Sequence, residues 1–184
     1  MKKQIQGNLL VADPFLKDPN FMRSVVYMCG HNETGSFGFV LNQPLAFTLN
    51  QIVGEWHGCE LPVYQGGPVQ MGALHYIHRR ADLIPDSTEI SNGIYHGGDF
   101  EVIKILLEEQ LIKPTDIRFF AGYSGWGEGQ LLHEINKQKS WLISPSTQEL
   151  VFHNDHQKIW GAAIKQLGAS YEPMIHYPID PLLN

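Results

Sequence analysis

Apolar residues in this chain gather in short runs cut by glycine and proline, and long helical periods are few. Residues 7–12 (Gly-Asn-Leu-Leu-Val-Ala) predict a short strand closed by Asp13 and Pro14. Residues 24–29 (Ser-Val-Val-Tyr-Met-Cys) have the β-branched and aromatic content of a strand buried on both faces. A polar, glycine-bracketed connection at 30–35 leads to a strand at 37–41, which predicts an antiparallel hairpin. Residues 47–56 read as a short helix, with Thr48 as N-cap and Leu49, Ile52, Val53 and Trp56 at helical spacing. Strands at 61–65 and 73–78 flank a glycine-rich loop at 66–69. Residues 79–92 are polar and turn-rich, and 93–98 form a further glycine-bracketed motif.

The clearest helix follows Asp99, its cap, with Val102, Ile103, Leu106, Leu107 and Leu111 on one face and Pro114 beyond its end. A second, over 155–167, carries Ile159, Trp160, Ala163, Ile164 and Leu167, and Gly168 closes it. Strands at 140–144 and 150–153 lie between. This irregular order of strands and helices predicts an α+β fold: one domain over 1–184, a bent, mostly antiparallel or mixed sheet, and three to four flanking helices.

The stretch 118–132 stands apart. It opens as an aromatic strand, crosses Gly122, Gly125, Gly127 and Gly129, and reads as entering a helix over 127–137. Glycines this dense cost chain entropy and are kept where positive φ or close backbone approach is needed. Gly122-Tyr123-Ser124-Gly125-Trp126 imitates a nucleophile elbow in outline, but Trp126 fills a position where that turn needs a small residue. The backbone N–H groups of Gly125, Gly127 and Gly129 offer an alternative anion site at a helix start. The plainer reading has the glycines folding Trp126 back onto the core, with Gln130 capping locally.

Composition narrows the function classes. A chain of 184 residues buries roughly 70% of its unfolded surface and needs no crosslink or metal to fold. Thirteen Lys+Arg against nineteen Asp+Glu give a net charge of −6, which disfavours direct nucleic-acid binding. Cys29 and Cys59 follow no metal or redox spacing and read as buried thiols. The N-terminus lacks the apolar core of a signal peptide, and no run approaches the ~20 apolar residues of a membrane span. A cytoplasmic protein with no membrane association is expected.

The motifs themselves resemble a known family. Residues 7–14 with Asp18, Phe21, Arg23, Ser24, Val25, Val26 and His31 are similar to the opening of the YqgE/AlgH (UPF0301) proteins. Gly35, residues 38–44, residues 66–69 and above all residues 118–131, with Glu134, Ile135 and Trp141, continue the resemblance in the same order. It implies an α+β domain whose bifurcated sheet curls into a pseudo-barrel, and a regulatory role on the pattern of a branch labelled a transcriptional regulator. Ser124 stands where members often carry Ala, and Leu132 where Glu is frequent.

The expected function is therefore a non-enzymatic binding or regulatory role acting through a protein partner. The alternative is a small-molecule or anion site, with hydrolysis as its enzymatic form, at residues 122–130. Its candidate binding residues are Arg118, Tyr123, Ser124, Gly125, Trp126, Gly127, Gly129 and Gln130, with Glu128 and His133 as further polar groups. His75 and His78, three apart in a strand, point to opposite faces and cannot share a metal, whereas convergence of His31, His96 and His133 with Glu134 stays open. No cofactor, metal or catalytic residue is assigned, and the oligomeric state is open. Trp56, Tyr95 and Trp160 are aromatic candidates for an assembly surface.

Overall fold

The computed structural model describes residues 5–54 and 60–179. In chain order the strands begin with β1 (Leu9–Ala12), β2 (Val25–Asn32), β3 (Gly35–Val40), β4 (Pro44–Thr48) and β5 (Pro62–Gln65). They continue with β6 (Val69–His78), β7 (Ser87–Ser91), β8 (Ile94–Gly97), β9 (Ile117–Gly127) and β10 (Trp141–Ser144). The helices are α1 (Leu49–Val53), α2 (Phe100–Glu108), α3 (Gln130–His133), α4 (Gln148–Val151) and α5 (His156–Gln166). The strands form one sheet in the order β10-β1-β2-β3-β9-β6-β8-β7, with β4 and β5 leaving this path beside β9. All pairings are antiparallel except β5 with β9. The expected α+β class and bifurcated, curled sheet are present.

The fork is built on β9. One edge of β9 pairs with β6 over 117–123, with an irregularity between Val69 and Leu74. The other pairs with β5 at 119–121 and with β3 at 124–127. Gly66 sits where the two flanks part: its N–H donates to the Ala121 carbonyl (3.0 Å), and its own carbonyl accepts from Val40 N–H (2.9 Å). A Cβ on Gly66 would stand 2.3 Å from the Gly122 carbonyl oxygen, so only glycine passes here. Gly122 turns the strand at the same point, with φ +68° and its own missing Cβ 2.7 Å from the Val69 carbonyl oxygen. The glycine pattern at 66–67 and 122 is thus the signature of a crowded strand fork.

Curling brings the β7–β8 turn to the far side of the sheet. Gln148 donates to the Asn92 carbonyl (2.9 Å), and Ser146 donates to the Gly7 carbonyl. The interior cluster joins Tyr27, Phe39, Ile77, Ile94 and Phe120 to Ile159, Trp160 and Ile164 of α5. On the other face α2 packs Ile103, Leu106 and Leu107 against Ile117 and Phe119. A third cluster gathers Leu10, Val26, Met28, Trp126 and Trp141.

Several expectations are corrected. β9 runs on as a strand through Gly127, so 122–127 is not a turn, and helix begins only at Gln130 behind Gly129 at φ +68°. α3 then widens into a π-helical turn over Glu134–Gln138. Residues 150–153 are not a strand: the Thr147 hydroxyl caps Leu150 N–H and starts α4. Phe47 belongs to β4 and the following helix spans Leu49–Val53. The polar segment 79–92 contains β7. Leu111 lies past the end of α2 and is exposed. Trp160 is no surface candidate, since it is buried and donates to the Ala12 carbonyl (2.9 Å). Tyr95 is half-buried on His78, while Trp56 and Cys59 lie outside the described residues. Cys29 is a buried free thiol, as expected, and burial raises its pKa.

Candidate functional site at the mouth of the curled sheet

Where β2 and β3 turn at one end of the half-barrel, the interior is not filled. A cavity of about 640 Å³ opens there, walled by Phe37, Phe39, His75, His96 and Tyr123, with Trp126 and Asn32 at its margin. Four strands supply the walls. β2 and β3 slip register between Met28 and Gly30, and a Cβ on Gly30 would meet the Phe37 ring at 2.5 Å. The bulge and the missing side chain therefore seat that ring. Phe39 lies face to face with Phe120 of the core at 4.7 Å. The rings beyond it meet edge-on: Phe37 on Tyr123 at 88° and His75 on Tyr123 at 83°. His75 and His96 face each other with centroids 6.2 Å apart.

The electrostatics of this mouth are those of neutral imidazoles. Burial lowers the pKa of His75, and burial followed by the charges of His75 and His78 lowers that of His96. Each ring then offers one N–H and one lone pair at neutral pH. The His75 Nε2 atom is buried and has no hydrogen-bond partner among the described residues, a vacancy that buried polar atoms rarely keep. Among the described residues no carboxylate lines the cavity to orient either ring as a general base. The arrangement can stack a planar group and hydrogen-bond it once or twice.

Of the residues singled out in the sequence, Tyr123, Gly125 and Trp126 reach this cavity. Ser124 does not: it is fully buried in mid-strand and donates its hydroxyl to the Gly66 carbonyl (2.9 Å). An elbow nucleophile must stand exposed on a sharp turn, so this geometry does not fit one. Gly127 N–H is occupied by the Gln130 side-chain oxygen (3.0 Å), and Gly129 precedes a single helical turn. The Trp126 indole turns to the core and donates to Glu134 (2.9 Å), as does the Trp141 indole (2.8 Å). Arg118 is buried at the opposite end of β9, against Tyr64.

Among the histidines, His96 joins His75 in the mouth, while His31 pairs with the Ser36 hydroxyl (2.7 Å). His78 turns to the Gly97 carbonyl (3.0 Å). No group of three metal-ligating side chains occurs among the described residues. Phe37, Phe39 and the pairing of His75 with His96 lie outside the residues that the sequence singles out. The available signals were strand alternation at 73–78 and the glycine bracket around His96; only the β6–β8 pairing joins them.

Comparison with known proteins supports the same fold. The chain matches the AlgH-like family over residues 9–172. A UPF0301 protein of Chlorobium limicola is 39% identical over 178 residues, covering 97% of this chain and 95% of its own. One from Parabacteroides distasonis is 41% identical over 182 residues, covering 98% and 91%. The solution structure of the AlgH protein from Pseudomonas aeruginosa superposes with a TM-score of 0.75 at 24% identity, covering 97% and 96%. A crystal structure from Corynebacterium diphtheriae gives 0.78 at 22%, covering 96% and 94%. Among the described residues no helix is long and apolar enough to cross a membrane. The family match and the full-length relatives place this chain in the AlgH-like UPF0301 family.

Proposed function

We propose that this chain is a non-enzymatic binding protein whose site is the mouth between Phe37, His75, His96 and Tyr123. The observation that carries the reading is an aromatic cavity of about 640 Å³ lined by His75, whose buried Nε2 has no hydrogen-bond partner among the described residues. Concave, mostly apolar sites with a few convergent polar groups are the usual form of small-molecule sites. The ligand class is a small planar or aromatic group carrying one hydrogen-bonding atom. Phenol and indole are suitable probes: titration should shift the His75, His96 and Tyr123 side-chain NMR signals saturably, and a His75→Ala/Tyr123→Ala variant should lose the response. Shifts confined to other residues, or an unchanged response in the variant, would contradict the assignment.

The finer role is regulatory. The family resemblance suggests control of transcription, and the net charge of −6 favours acting through a protein partner over duplex contact. Occupancy of the mouth would then be read by that partner. A gel-shift showing sequence-dependent, sub-micromolar DNA binding at moderate salt would overturn the indirect form.

A further inference from the structure

Arg118 is a buried cation that pairs with no carboxylate among the described residues. The residue is 5% exposed. Its Nη1 donates to the Leu41 carbonyl (3.1 Å), its Nη2 to the His153 carbonyl (2.5 Å), and the guanidinium lies 4.5 Å from the centre of the Tyr64 ring. The arginine–carboxylate pairs among the described residues lie elsewhere: Arg79 and Arg80 share Asp116, and Arg80 also holds Asp82. A full charge taken out of water is costly unless an opposite charge is beside it, and two carbonyls with the Tyr64 ring and hydroxyl are only partial compensation.

A cavity of about 90 Å³ adjoins this cation, lined by Tyr64, Arg118, Phe152 and Asn154 and rimmed by Pro62 and Pro114. Pro62, Pro114 and Asn154 are exposed, so the cavity reaches the surface. Arg118 itself lines this cavity, and the carbonyl that its Nη2 contacts belongs to His153, between the lining residues Phe152 and Asn154. Each water takes a share of ~30 Å³, so the space suits a small anion rather than a nucleotide or sugar phosphate.

The geometry points to a binding site for a small monovalent anion at Arg118, with the guanidinium and the Asn154 amide as its polar wall. A carboxylate group is the best chemical match, because paired guanidinium N–H groups meet two carboxylate oxygens side by side. The anion would supply the missing counter-charge. The site is independent of the mouth cavity, since the two share no lining residue.

The test is a titration with sodium formate at constant ionic strength, in buffer free of halide and other carboxylates. It follows the Arg118 Nε–Hε NMR signal and the thermal midpoint. Wild type should show a saturable shift of that signal and a saturable rise in midpoint. Asn154→Asp places a carboxylate at the cavity wall. It should melt higher than wild type without formate, and its formate affinity should fall about tenfold or more, through like-charge repulsion in a confined space. Arg118→Met removes the response if it folds, and Asn154→Asp keeps the test decisive if it does not. A non-saturable response, a saturable one that leaves the Arg118 signal unmoved, or unchanged affinity in Asn154→Asp would overturn the proposal.

Discussion

Ser124 and Gly66 are joined across the fork of the sheet by a 2.9 Å hydrogen bond from the serine hydroxyl to the glycine carbonyl. The same carbonyl accepts Val40 N–H, so losing the hydroxyl leaves no orphaned acceptor. Ser124→Ala should therefore cost only about 1 kcal/mol, the net value of one such bond. Urea unfolding checks this, and a loss of phenol binding in this variant would show that the serine serves the mouth directly.

Glu134 accepts both buried indoles through one carboxylate oxygen, Trp126 at 2.9 Å and Trp141 at 2.8 Å. Glu134→Ala strands two buried N–H donors and should cost about 3 kcal/mol, whereas Glu134→Gln keeps an acceptor and should cost about 1 kcal/mol. Tryptophan emission during unfolding reports both. Equal losses would mean that the indoles find other partners.

Gly122→Ala forces a side chain into left-handed backbone and against two carbonyl oxygens, those of Val69 at 2.7 Å and Gly67 at 2.8 Å. The strain alone is about 1–3 kcal/mol, and the clash adds to it. The variant should unfold at markedly lower denaturant or fail to fold. Gly129→Ala, equally left-handed at φ +68° but in open space, should cost less and serves as the control.

The pH dependence has a defined sign. Burial lowers the pKa of His75, His78 and His96 in the folded state. Below the ordinary histidine range, near 6.5, the unfolded chain binds protons that the folded chain refuses, so stability drops as the pH is lowered there. It should be fullest above about pH 7 and level off once the folded-state values are passed. His75→Phe removes one of these groups and should flatten the slope between pH 7 and 5 by about one group's contribution. A chemical-denaturation series across that range measures it, and an unchanged slope would place His75 in water.

What was legible in the sequence follows from where local signals and tertiary pairing agree. α2 and α5 carry a cap and an apolar face together, Asp99 and Asp155 being the caps, so they were legible with near-correct ends. β7 was not, because Ser-Thr-Glu-Ile-Ser is half-exposed at the sheet's edge and reads as a turn-rich polar run. Residues 150–153 are too few to separate a buried helix turn from a strand by period, and the Thr147 cap decided the matter. The glycines of 122–127 suggested a loop. The strand persists because β3 pairs with it at 124–127 and β6 reaches Tyr123, and pairing overrides propensity. For the candidate site, Tyr123 and Trp126 were legible because they sit in the unusual stretch. His75 and His96 were not, since only the curl of the sheet brings their rings face to face.

Whether the mouth is a ligand site can be read from a crystal structure of the chain soaked with phenol. The ring should lie between Phe37, His96 and Tyr123, with its hydroxyl within hydrogen-bond distance of His75 Nε2. A cavity holding only water, with phenol absent or bound elsewhere on the surface, would contradict the account.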